Sequence, residues 1–433
     1  MLGKAICRTF LNDQIDGDNM KRRNRGAKCT RFILACAASL ALGACGGNSN
    51  NVSAAPRTAQ NATVVAEWNR LSYDLGDAAA EKAYEDKQLY KKVLMQGVKV
   101  DSRDTMYVST ARWNGPEVPA TLSKLVKKDG IWKLQPFPSM EMNRIDNPKG
   151  LKAVLGFEID RNDVMWILDQ GHVAGAPNAP GDAKLIAWDL KTNRELQRYE
   201  FSAQEADSKC SFLNEVVVDN DTGFVYITDS GIFCDPLKGG LIVYDSKANK
   251  ARRILSADPY TNDEAYTFEI HGRKVTKTGP MRTGADGIAL SGDKNTLYWS
   301  NLTGNRLLSL PTAPLRDFGT AESTIRSAVK VEKTLPSNMD GMTSDRDGNL
   351  IMTALQLNGL TLWDRASDQV APYFTDDKVS WADTVAWGPN GSLYFVTNHL
   401  QLFVDDDMNF DNPPTPNFRI YRLETGRKPY TAP

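Results

Sequence analysis

GADGIALSGDKNTLYWSNLTGNRLLSLPT, residues 284–312, is the stretch whose pattern decides the fold. Ile288, Ala289 and Leu290 form a short apolar run behind Asp286-Gly287, and the polar turn 291–295 follows. Leu297, Tyr298 and Trp299 form a second run, which stops at Ser300-Asn301. Leu307, Leu308 and Leu310 begin a third. Gly, Asn and Asp suit tight turns and weaken strand interiors, so the boundaries are well marked.

The same unit recurs at 98–113, 155–172, 213–231, 339–354 and 382–399. Each copy is a short strand, a turn rich in Asp, Asn and Gly, and a second strand. Most continue into a third strand, as at 184–190, 240–245 and 360–364. Repetition at about 40–70 residues with several strands per unit marks a β-propeller. Six copies predict an all-β, six-bladed propeller over residues 63–433; a chain of separate sandwiches is the rival. Residues 77–92 read as one short helix, and 258–283 as an excursion holding extra strands. The strand pattern at 419–423, behind an acidic, Pro-rich segment, is placed to complete a blade from both chain ends.

The chain has 433 residues and a net charge of -1, with 41% hydrophobic and 24% charged residues. No basic excess points to a nucleic-acid partner. His172, His271 and His399 are the only histidines, so a multi-histidine metal centre has few ligands to draw on. No Gly-rich phosphate loop, nucleophile elbow or paired-Cys zinc spacing is present.

Lys21, Arg22, Arg23, Arg25, Lys28 and Arg31 precede the apolar run 32–42, which ends in Leu42-Gly43-Ala44-Cys45. This resembles the lipobox of bacterial lipoproteins, which implies a signal segment over 1–44, a lipid on Cys45 and a polar tether over 45–62. Residues 1–19 lack signal character, which makes Met20 a candidate start. An ordinary secretory peptide is the alternative. Gly46, where an Asp is absent, implies the outer membrane by the same resemblance, so the expected address is the cell envelope, with the membrane reached through the lipid. After processing Cys210 and Cys234 remain, and an oxidising compartment favours one disulfide between them over two buried thiols.

Aligning the copies puts Asn214, Asp286, Asp340 and Asp383 at one position leading into the inner strand. Arg112, Trp113, Gln170, His172, Asp229, Asn301, Asn398 and His399 follow the second strand. Acids and amides converging on a propeller channel suit either a polar small molecule or a Ca2+ or other divalent cation with oxygen ligands. Trp113 and Arg112 are the expected stacking and hydrogen-bonding pair for an aromatic ligand. Asp286 and His172 are candidate acid–base groups. The competing reading is that Asp and Asn here form turns and satisfy local N–H groups, and Asp169 and Asp229 are read that way.

The chain resembles the yellow and major royal jelly protein family. The likeness runs through VVAEWNRLSYDL (64–75), MYVSTARWNGPEVPATL (106–122), LQPFPS (134–139) and FEIDRNDVMWILDQG (157–171). It continues through NEVVVDNDTGFVYITDSG (214–231), GGLIVYD (239–245), 284–312 and DTVAWGPNGSLYFVTN (383–398). It implies a six-bladed propeller that is secreted and that in some members binds small aromatic amines in its channel, or in some tautomerises dopachrome. LNEVVVD (213–219), ADGIALS (285–291) and MDGMTSD (339–345) are also similar to gluconolactonase-type propellers. There the equivalents of Asn214, Asp286 and Asp340 hold a divalent metal, and the glutamate ligand has no clear match unless Asp383 substitutes. Three functions therefore stand as expectations: a ligand-binding isomerase, a metal-dependent lactonase, and an envelope scaffold without catalysis.

Overall fold

The structure, a computed structural model, describes residues 62–176 and 178–432. The signal segment, Cys45 and the tether up to residue 61 lie outside the described residues. Six four-stranded antiparallel sheets form the blades of a propeller. From inside to outside, blade 1 is Val98–Val100, Met106–Ser109, Leu122–Lys128 and Ile131–Pro136. Blade 2 is Val154–Ile159, Val164–Asp169, Lys184–Asp189 and Arg194–Glu200. Blade 3 is Leu213–Asp219, Phe224–Asp229, Gly240–Asp245 and Lys250–Ile254. Blade 4 is Ala285–Leu290, Thr296–Asn301, Arg306–Pro311 and Lys330–Thr334. Blade 5 is Met342–Ser344, Leu350–Ala354, Gly359–Asp364 and Gln369–Thr375.

Blade 6 joins the two ends of the chain. Ala382–Trp387, Ser392–Thr397 and Phe418–Glu424 are its inner three strands, and Ala62–Trp68 is the outermost. Ala62 pairs with Leu423 and Trp68 with Phe418, so backbone hydrogen bonds close the ring. The six inner strands touch in order around the axis, the first against the last.

The apolar runs lack polar alternation because both faces of each blade are buried. In blade 4, Leu297 and Trp299 pack with Val217, Tyr226 and Val243 of blade 3. Tyr298, between them, points the other way and packs with Met342, Leu350 and Trp363 of blade 5. Successive strand residues face opposite sides, so one run serves two interfaces.

Residues 77–92 form two pieces rather than one helix. Asp77 caps Ala78–Asp86, its Oδ1 accepting from Ala79 N at 2.9 Å. The helix stops where Gln88 turns left-handed, and a 3-10 turn over Leu89–Lys92 follows. The excursion contains a hairpin, Phe268–Ile270 with Arg273–Val275. Arg273 ties it to the acidic segment through Asp405 at 2.7 Å and Asp407 at 2.5 Å. Cys210 and Cys234 form a disulfide that clips the approach to blade 3 to the loop after its second strand.

Candidate functional site

An extra residue near the start of the inner strand builds the site. In blade 2, Val154 pairs with Asp169 and Phe157 with Ile167, three steps on one strand against two on its partner. The same offset separates Leu213 from Val216, Ala285 from Ile288 and Ala382 from Val385. Such a β-bulge re-aims the side chains that it contains. The first bulged residues are Leu155, Asn214, Asp286 and Asp383, and all four line one cavity. Asp340, ahead of the blade 5 inner strand, joins them.

Glycine follows the first bulged residue in two of these blades because the next inner strand passes close by. A Cβ on Gly287 would lie 2.3 Å from Asp340 O. In blade 3 the matching position carries Glu215 instead. Its carboxyl reaches across the axis, with Oε1 3.2 Å from where a Cβ on Gly341 would stand.

The chamber opens to solvent. Its floor is Asn214, Asp286, Asp340 and Asp383; its walls include Trp113, Phe212, Ile232, Leu302 and Leu400. Trp113 and Phe212 tilt against each other with ring centres 5.5 Å apart. Gln170 accepts from Trp113 Nε1 at 3.3 Å, which fixes the indole. A second, narrow cavity is lined by Lys99, Asn214, Glu215 and Asp383, sharing Asn214 and Asp383 with the first.

Burial and mutual repulsion raise the acids. Desolvation is the main cause for Asp286, followed by the charges of Asp340, Glu215 and Asp383. Asp383 is raised by burial and then by Asp340, although Asn398 Nδ2 donates to its Oδ2 at 2.6 Å. Burial also pushes Asp340 up, against the Trp381 indole, which donates to its Oδ2 at 2.5 Å. Burial drives Glu215 up to about 8, with Lys99 opposing and Asp340 and Glu158 reinforcing the shift. Asp286 and Asp340 are close enough to influence each other's ionisation, and the Asp340 charge adds to the burial that raises Asp286. Asp286 Oδ1 is buried and has no hydrogen-bond partner.

A profile described as Major royal jelly protein matches residues 153–429. The chain belongs to the major royal jelly protein family. Major royal jelly protein 1 of Apis mellifera is 26% identical over 430 residues, covering 90% of this chain and 92% of its own length. Dopaminechrome tautomerase of Drosophila melanogaster is 26% identical over 350 residues, covering 74% of this chain and 73% of its own. Among solved structures, a luciferin-regenerating enzyme overlays with a TM-score of 0.48 at 18% identity, covering 78% of this chain and 93% of that one. A gluconolactonase from Xanthomonas campestris gives 0.45 at 13% identity, covering 76% and 85%. Those overlays are too loose to bear on the site.

In this royal jelly family chain, Trp113, Asn214, Asp286, Asp340 and Asp383 meet in the chamber. Arg112 does not line it. Its guanidinium donates to the carbonyls of Val118, Asn143, Leu151 and Lys152, which makes it a framework residue. Asn301 stands back from the cavity and donates to Asn262 O at 2.7 Å. Asn398 supports Asp383 from behind and also donates to Met95 O at 2.9 Å. His172 lines a different cavity, stacked on Phe233 at 3.9 Å between ring centres. His399 sits elsewhere, lowered to about 4 by burial first and then by Arg419 and His271. Asp169 and Asp229 do hold the framework, pairing with Lys184 at 2.9 Å and Arg253 at 2.6 Å.

Among the described residues no three His, Cys, Asp or Glu side chains are grouped to hold a metal. Asp340 Oδ2 is taken by Trp381 and Asn214 Nδ2 donates to Ser230 Oγ at 3.0 Å, so the Asn214 carbonyl oxygen and the unpartnered Asp286 Oδ1 are the atoms of this set that a divalent cation would draw on.

Glu215 and the apolar belt are the parts of the site that the repeat alignment misses. Asn214 marks the aligned position, and the signal for Glu215 is the departure from Gly immediately after it.

Proposed function

We propose that this chain binds a small aromatic, amine-bearing molecule in the chamber and shifts a proton on it. The observation that carries this is Asp286, whose Oδ1 is buried without a partner at the floor of a cavity walled by Trp113 and Phe212. A buried acceptor left unmade costs about 1–3 kcal/mol, which a ligand N–H recovers on binding. The aromatic walls suit an offset or edge contact with a ligand ring. A relative named for dopaminechrome tautomerisation supports the isomerase half. Tautomerisation removes a proton at one atom and supplies one at another. Burial raises both Asp286 and Asp340, and two coupled carboxyls that release their protons in separate steps can offer one acid and one base.

Calorimetry against serotonin, tryptamine, dopamine and tyramine tests the binding. At least one is expected to bind, and Asp286→Asn is expected to weaken it about tenfold, the worth of one charged hydrogen bond. If all four fail to bind the native protein, the amine reading is lost. Conversion of dopaminechrome, followed by the loss of its visible absorbance, tests the proton shift.

The lipobox-like Leu42-Gly43-Ala44-Cys45 supports an envelope address with a lipid on Cys45. The chamber would then face an extracytoplasmic compartment, consistent with the disulfide.

A further inference from the structure

The chamber has a second charged pole. Met281, Arg282 and Thr283 enter its wall just ahead of the blade 4 inner strand. Thr303 Oγ1 donates to Met281 O at 2.7 Å, and Thr303 N donates to Thr283 O at 3.2 Å. Gly284 N donates to Ser230 O at 3.2 Å, so the segment is pinned to blade 3 as well. Arg282 is itself gripped. Its Nε and Nη2 donate to the two oxygens of Asp263, the second at 2.9 Å. The Asp263 side chain is only 3% exposed, while that of Arg282 keeps 32%.

Asp263 occupies one edge of the guanidinium. Nη1 has no hydrogen-bond partner among the described residues. A planar guanidinium held by one carboxylate keeps its remaining N–H groups in fixed directions, ready for a second. Arg282 and Asp286 lie four residues apart on one segment, a separation of at most about 13 Å in extended chain. Both poles line the same cavity, together with Trp113, Phe212 and Leu302.

We propose that the ligand carries a carboxylate at the end opposite its amine, and that Arg282 selects for it. This rests on the amine reading of the acidic floor. It narrows the substrate class to rod-shaped aromatic amino acids with charges on opposite sides of the ring. An α-amino acid bears both charges on one carbon and cannot reach both poles.

Calorimetry with benzylamine, 4-(aminomethyl)benzoate and phenylalanine tests this on native protein and Arg282→Gln. In native protein 4-(aminomethyl)benzoate is expected to bind roughly tenfold or more tightly than benzylamine, the effect of one charge-assisted hydrogen bond. Phenylalanine is expected to show no such gain. The ratio of the two amines should fall to about one in Arg282→Gln. If that variant misfolds, Arg282→Lys, which keeps the charge but not the fork, should show an intermediate ratio. Equal affinity of the two amines for native protein overturns the inference and leaves the amine reading standing. So does an unchanged ratio in a folded Arg282 variant. If neither amine binds native protein, the amine reading falls and this inference with it.

Discussion

Replacing Glu215 by Gln should stabilise the propeller at neutral pH and do nothing in acid. The side chain crosses the axis towards Gly341 among Asp340, Asp286, Asp383 and Glu158, and Lys99 is the cation that opposes them. Burial and these neighbours raise it from 4.5 in the open chain to about 8 in the fold. Between those values the folded state keeps a proton that the unfolded state has released. Stability from this group is therefore complete below pH 4.5 and is lost as pH rises towards about 8. At 1.36 kcal/mol per pH unit, the loss reaches about 3 kcal/mol at pH 7. Glu215 is partly open to channel water, so about half of that is the working figure. Gln keeps the shape and an acceptor oxygen but has no proton to lose. For a domain of this size, about 1.5 kcal/mol corresponds to roughly 3 °C in Tm. Thermal unfolding followed by circular dichroism at pH 5 and pH 7 is the assay. Glu215→Gln should melt roughly 3 °C above native protein at pH 7 and about level with it at pH 5, on the same arithmetic. Parallel Tm profiles for the two proteins across that range would refute the buried, proton-holding Glu215.

Three further outcomes follow from other parts of the molecule. Gly287→Ala places a Cβ 2.3 Å from Asp340 O, a backbone atom that cannot swing aside, and should cost about 1–3 kcal/mol in urea unfolding. Cys210→Ser opens a link between residues 24 apart, and should lower stability by about 3 kcal/mol without moving the melting curve of fully reduced protein. Cys45→Ser should move the protein from the detergent phase to the aqueous phase when cells are partitioned, the outcome expected of a lipid on the cysteine of the lipobox-like 42–45.

The fold was legible because six copies of one strand–turn–strand unit share a chain, and because Leu297, Tyr298 and Trp299 form an apolar run without polar alternation. The closing of blade 6 was also readable, since the strand pattern at 419–423 could complete a blade from both chain ends, as its pairing with Ala62–Trp68 does. The site was legible in part. Aligning copies finds a position, so Asn214, Asp286, Asp340 and Asp383 came out together. It cannot say where each side chain points, because the bulge that turns them inward is a property of strand pairing. Arg112 shows the cost. Arg beside Trp reads as a ligand pair, yet the approach of residues 143 and 151–152 surrounds that guanidinium with carbonyls. Those contacts join segments about 30–40 residues apart, and nothing local to Arg112 encodes them.

Glu215 makes the complementary point. Where blades 2 and 4 have Gly156 and Gly287 after the bulge, blade 3 spends no glycine, and the space beside Gly341 is what admits the longer side chain. A residue that departs from its repeat is thus coupled to a glycine two blades away. The repeat preserves the ring, and its exceptions furnish the channel. Arg282 and Asp286 extend the same logic along one segment. The bulge aims Asp286 at the floor, while the pinned turn before it holds Arg282 at the wall. The two charges that would orient a ligand are therefore fixed by one short segment, 282–286, which runs into the stretch where the blade pattern is written most plainly.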